Sequence, residues 1–142
     1  MGYFFTNDDV DNISETLGLK PQEFDKGWTW RLLNKGTGQQ LIFSIITDIQ
    51  LEHNERGNLI SVQTQHGYFE LHNCTMFMLF EPDEVIFIQH DDFKLSSLII
   101  GKQSTCSMFT NINREILNHD FSELAPPLLL SAMQLSIAES VL

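Results

Sequence analysis

Gln40-Leu41-Ile42-Phe43-Ser44-Ile45-Ile46-Thr47-Asp48-Ile49-Gln50 is the stretch that decides the fold. Leu41, Phe43, Ile45 and Ile49 fall on one parity, while Ser44, Asp48 and Gln50 fall on the other. Side chains alternate between faces along a strand, so this spacing predicts a strand with one face on a core and one on water.

Outward from it, the chain divides at short polar breakers. Candidate strands cover residues 28–33, 39–53, 58–71, 75–81, 84–90, 95–101 and 104–110. Between them lie Asn34-Lys35-Gly36-Thr37-Gly38, Asn54-Glu55-Arg56-Gly57, His72-Asn73, Glu81-Pro82-Asp83, Asp91-Asp92 and Gly101-Lys102, all of turn composition. If each hairpin loop after residue 53 has an even length, one sheet face collects Leu41, Phe43, Ile45, Ile49, Leu51, Ile60, Val62, Tyr68, Phe77, Leu79, Ile86, Ile88, Leu95, Ile99, Cys106 and Met108. That phase predicts a continuous antiparallel meander. The opposite face is polar at Ser44, Ser61 and Gln63, but apolar at Met76, Met78, Val85, Phe87, Leu98 and Ile100. Its second half therefore needs a cover.

Helices are expected at both ends. Residues 7–18 carry a capping Asn7 or Asp8, an apolar face of Val10, Ile13 and Leu17, and a terminating Gly18. Ala125-Pro126-Pro127 precedes a helical reading of 128–142, whose only charge is Glu139. Leu128, Leu135 and Leu142 project one way, and Leu130, Met133, Ile137 and Val141 nearly the opposite way. A helix apolar on several sides is buried on several sides, which assigns the second set to an interface. Asn111 is a candidate cap for a short helix holding Ile112, Ile116 and Leu117. The fold class expected is α+β: one domain over 1–142, with a six- to seven-stranded antiparallel meander, strongly twisted or half-barrel, between N-terminal and C-terminal helices.

Composition narrows the partners. The chain has 142 residues, 42% apolar, with 11 phenylalanines, enough for a real core. Its formal net charge is −11, and its eight Lys and Arg residues are not clustered. A nucleic-acid backbone or an anionic membrane surface requires the reverse. No apolar run reaches the roughly 20 residues of a membrane span, and the first residues lack the basic start of a signal peptide. Cys74 and Cys106 form no Cys-x-x-Cys pair and read as reduced cytoplasmic thiols, with a single bridge as the alternative.

Four constellations are candidates for chemistry. Glu70, His72 and Cys74 share strand parity with neighbours about 7 Å apart, so two of them could hold a metal with help from a neighbouring strand. The competing reading is a strand end beside a core cysteine. Thr47, Thr64, His66, Tyr68 and Glu70 form a polar insert in the apolar face, with Thr47 opposite or diagonal to His66, and could orient a ligand. The competing reading is a solvated sheet end. His90-Asp91-Asp92 offers oxygen ligands for a cation, or a plain hairpin turn. Trp28 and Trp30 share one face, as a ligand cradle or as core. No metal or other cofactor is expected.

Phosphate-loop, zinc-helix, nucleophile-elbow, calcium-loop and dinucleotide signatures are all missing from the sequence. The function expected is a non-enzymatic protein-interaction module that forms a homodimer or binds a protein partner. A small-molecule carrier using His66, Tyr68 and Glu70, and a metal-dependent or acid–base enzyme, are the second and third readings. In size, charge and flanking helices the chain is similar to small acidic α+β secretion chaperones. It departs from them in lacking a central helix within the meander, so the similarity stays at the level of class.

Overall fold

The computed structural model describes residues 4–51, 55–80, 83–90 and 94–113. Its first element is α1 (Asn7–Leu17), which buries Val10, Ile13 and Leu17 as the spacing predicts. The cap is Thr6, one position before the expected Asn7 and two before the alternative Asp8. Thr6 Oγ1 accepts from the Asp9 amide at 3.2 Å, and the Asp9 carboxylate accepts from the Thr6 amide at 3.0 Å. This reciprocal box satisfies two amide donors that a bare helix start leaves open. Gly18 closes the helix at φ 69°, a left-handed conformation that suits glycine.

Among the described residues nine strands follow, in two antiparallel meanders. The first sheet runs in order through β1 (Gln22–Phe24), β2 (Gly27–Leu33), β3 (Gln40–Gln50), β4 (Arg56–Thr64) and β5 (Tyr68–His72). The second runs through β6 (Met76–Phe80), β7 (Glu84–His90), β8 (Lys94–Gly101) and β9 (Thr105–Asn113). The expected single meander is therefore corrected: it divides after His72, where Asn73 takes φ 58° and the chain leaves the first sheet. The half-barrel gives way to two sheets that share one core with α1. Three further corrections are local. The expected strand 58–71 folds back at residues 65–67 into two strands, β1 is an added edge strand, and Asn111 lies in β9 rather than capping a helix. The expected C-terminal helix lies outside the described residues.

Pairing explains why the sequence pattern looked continuous. Phe80 pairs Glu84 and Gly101 pairs Thr105, so both loops hold three residues rather than an even number. Each odd loop swaps the faces, and the two swaps cancel between β6 and β9. The inner face of the second sheet therefore carries Phe77, Val85, Phe87, Leu98, Ile100, Cys106 and Met108. Ile86, Ile88, Leu95 and Ile99, expected on the same face as Phe77, form a separate cluster on the opposite face with Met76 and Met78. In the first sheet a five-residue connection between Gln50 and Arg56 is offset by a one-residue bulge between Ile46 and Ile49. Leu41, Phe43 and Ile45 consequently stay in phase with Ile60 and Val62, whereas Ile49 is turned off the core face.

The core is an aromatic column between the sheets. Trp30 stacks on Phe43 with centroids 4.6 Å apart, Phe43 meets Phe87 at 6.0 Å, Phe87 meets Phe5 at 6.1 Å, and Phe5 stacks on Phe77 at 5.4 Å. Such contacts each add about 0.5–1.5 kcal/mol beyond area burial.

The loop after β8 ends on Ser104, a fully buried residue at φ 64° whose hydroxyl has no hydrogen-bond partner among the described residues. A three-residue hairpin places its last residue in the left-handed region, where glycine fits without strain. Ser104→Gly is expected to raise unfolding stability by about 1 kcal/mol in urea titration, since it removes both the strain and a buried unpaired hydroxyl. A loss of stability would contradict this reading of the turn.

Candidate functional site

The paired strands β1 and β2 stand beside α1, and the space between them forms an open groove of about 610 Å³. Its floor is apolar, built from Val10, Leu19 and Trp28, and its walls carry Asp11 and Glu15 from α1 and Glu23 from β1. Asp11 and Glu15 are four residues apart on the helix and so share a face. Glu23 pairs with Trp28, which puts both on the side of the sheet that faces the helix.

The two tryptophans have different positions. Trp28 sits at the groove floor with 9% of its surface exposed. Trp30 is fully buried, and its indole N–H donates to Ser14 Oγ at 3.2 Å, while Ser14 in turn donates to the Val10 carbonyl at 2.7 Å. Trp30 thus fastens α1 to the first sheet, and only Trp28 meets the groove.

The polar insert is dispersed by the turn after β4. His66 lies in that turn, where its amide and that of Gly67 donate to Thr64 Oγ1 at 3.1 and 3.0 Å. Tyr68, 59% exposed, and Glu70 point away from the core, because Phe69 and Leu71 take the inward parity opposite Val62 and Ile60. Their expected place in the apolar face is therefore corrected. Thr47 is not beside His66: it lies in the β3 bulge and donates its hydroxyl to Asn58 Oδ1 at 2.6 Å.

Glu70 and His72 meet at 3.2 Å on the outer face. Cys74 is separated from them by the left-handed Asn73 and is buried in the core, with its thiol donating to the Met76 carbonyl at 3.2 Å. The expected shared face of these three residues is corrected accordingly. Among the described residues no group of three His, Cys, Asp or Glu side chains could hold a metal ion. His90 ends β7, its amide donating to Thr75 Oγ1 at 3.2 Å, and Asp91 and Asp92 lie outside the described residues. So do Leu130, Met133, Ile137 and Val141.

Asn58 escaped sequence reasoning. It is fully buried, and its side-chain amide donates to the Cys74 carbonyl at 2.8 Å while its backbone carbonyl accepts from the Cys74 amide at 3.0 Å. The signal was available: residue 58 shares the inward parity of Ile60 and Val62, where a polar side chain requires partners. In the neighbouring bulge Asp48 takes φ 52°, and a 2.7 Å hydrogen bond from Arg56 Nε holds its carboxyl below the usual range.

Burial sets the chemistry of both thiols. It pushes Cys74 from the ordinary value of 9.0 up to about 12, and Cys106 up to about 11. The thiolate is the reactive form, so both cysteines should resist iodoacetamide at mildly alkaline pH and react only after denaturation. Because the folded thiols stay neutral where unfolded ones ionise, their contribution to stability is complete below pH 9 and is lost as the pH rises towards 12. Fast labelling of either cysteine in native protein, followed by mass spectrometry, would contradict their burial. Among the described residues no helix is long and apolar enough to cross a membrane. Comparison with protein-family models, with curated proteins and with solved structures finds no match for this chain.

Proposed function

We propose that this chain is a non-enzymatic protein-interaction domain that pairs with a second copy of itself through its C-terminal stretch. The observation that carries the reading is the second sheet, which is apolar on both faces. Its inner face belongs to the shared core. On its outer face Ile86, Ile88, Leu95 and Ile99 are at most 5% exposed, yet among the described residues that cluster draws side chains only from β6, β7 and β8.

A cover is required, and the segment that follows β9 is suited to it. β9 ends at Asn113 on this same sheet. The residues 128–142 beyond it combine high apolar content with a single charge. In the proposed arrangement they form a helix that seats Leu128, Leu135 and Leu142 on the outer face. Leu130, Met133, Ile137 and Val141 are then left for a partner copy, an isologous contact of the commonest oligomeric kind.

The small-molecule carrier is the weaker reading. Trp30, Phe43, Phe87 and Ile13, all fully buried, occupy the space between the sheets that a ligand would need. The enzyme reading is weakened by the separation of Cys74 from Glu70 and His72. Two unbridged cysteines fit a reducing, cytoplasmic setting. The charge of −11 disfavours nucleic acid and anionic membrane as partners.

The test is sedimentation at micromolar concentration. The wild-type chain is expected as a dimer, and the double variant Met133→Glu with Ile137→Glu as a monomer with an unchanged circular dichroism spectrum. Glutamate favours the helix and removes only the apolar contact. A monomeric wild-type chain would overturn the proposal.

A further inference from the structure

The groove between α1 and β1 offers features that self-association does not use. Among the described residues β1 is the terminal strand of its sheet and pairs only with β2, and all three of its residues are exposed. Beside this edge Leu19 and Phe24 are 38% and 42% exposed. The groove joins an apolar floor to walls bearing Asp11, Glu15 and Glu23, three carboxylates against one cation, Lys20. From residue 7 to residue 25 the sequence holds six carboxylates and one lysine, Lys20.

An unpaired strand edge presents backbone donors and acceptors to any extended chain. Strand addition supplies affinity through the backbone and specificity through pockets for alternate side chains. We propose that this edge and groove receive an extended segment of a different protein, in which basic and aliphatic residues alternate. The segment adds a strand to β1. Its lysines or arginines take the parity that faces the groove, with their stems along Trp28 and Leu19, and its aliphatic residues take the opposite parity, beside the exposed Phe24. The cationic heads reach the carboxylates of Asp11, Glu15 and Glu23.

Charge complementarity selects this occupant over the others. The carboxylates repel an acidic or uncharged strand with acidic flanks, which is how a short edge is kept from indiscriminate pairing. A second copy of this chain does not fit the pattern. Its Lys and Arg residues are never closer than four positions apart, as at Arg31 and Lys35, so none of its segments alternates basic and aliphatic residues.

The experiment uses two fluorescently labelled seven-residue peptides, one alternating lysine and valine and one alternating glutamate and valine, read by anisotropy against the full chain. The lysine–valine peptide is expected to saturate in the micromolar range, and the glutamate–valine peptide not to bind. Asp11→Asn with Glu15→Gln should weaken binding about fivefold, the effect of losing two solvent-exposed ion pairs. Glu23→Pro, which removes a backbone donor from the edge strand, should abolish it. Glu70→Gln, on the outer face of the first sheet away from the groove, should leave it unchanged. Circular dichroism of each variant checks that the fold is retained. Absence of saturable binding would overturn the proposal. So would equal binding of both peptides, or an equal loss in Glu70→Gln, which would reduce the effect to the net charge of −11. Dimerisation abolished by Glu23→Pro without any peptide binding would assign the edge to a second copy and overturn it as well.

Discussion

The hydrogen bonds around Asn58 decide how this chain folds. Its side chain accepts from the Thr47 hydroxyl and donates to the Cys74 carbonyl, and its backbone carbonyl accepts from the Cys74 amide. Thr47 Oγ1 also accepts from the Phe5 amide at 3.2 Å. Four separate parts of the chain therefore converge on one buried point: the N-terminal segment, the β3 bulge, β4 and the passage from β5 to β6. Buried polar groups are tolerated only when paired, so each partner restricts the positions of the others. With Cys74 held against β4, the chain cannot continue the first meander. It turns at Asn73 and begins a second sheet.

That turn produces the packing. Once β6 starts on a new sheet, Phe77 and Phe87 face Phe43 and Phe5 rather than solvent. Trp30 completes the column and ties α1 to it through Ser14. The same geometry leaves the second sheet with an outer face as apolar as its inner one. An antiparallel sheet with one wet face alternates cleanly between apolar and polar residues. β7 does not: Val85, Ile86, Phe87 and Ile88 are buried in succession. A strand buried on both faces belongs in the middle of three layers, and the proposed C-terminal cover would be the third.

Much of this was legible in the sequence, and the failures have physical causes. The period-two pattern of Leu41, Phe43 and Ile45 placed β3, and Val10, Ile13 and Leu17 placed the buried face of α1. Ser44 and Ser61, expected on the solvent side, pair with each other across β3 and β4 outside the core. Face assignment failed in β7 and β8, and was restored in β9, because loop parity cannot be read from composition. The Lys102-Gln103-Ser104 loop has an odd length that relies on a serine in a conformation glycine normally supplies. The split of β4 from β5 was obscured because Gln65 and His66 continue the polar alternation, and only Gly67 marks the turn. The groove depends on β1, whose three residues carry no apolar alternation and pair only because the Asp25-Lys26 turn brings them back on β2. Trp28 and Trp30 were rightly placed on one face, but sequence spacing cannot say which of two neighbours reaches the surface.

The apolar outer face of the second sheet follows from the division of the strands into two sheets. The most direct test of that division is hydrogen exchange on Asn58→Ala, read by mass spectrometry over β5 and β6. Losing the side chain leaves the Thr47 hydroxyl and the Cys74 carbonyl without this partner, at a cost of about 2–3 kcal/mol. The account predicts that amides of β5 and β6, on either side of the passage, lose protection together, with a matching drop in urea stability. Unchanged protection in both strands, with stability unaltered, would contradict it.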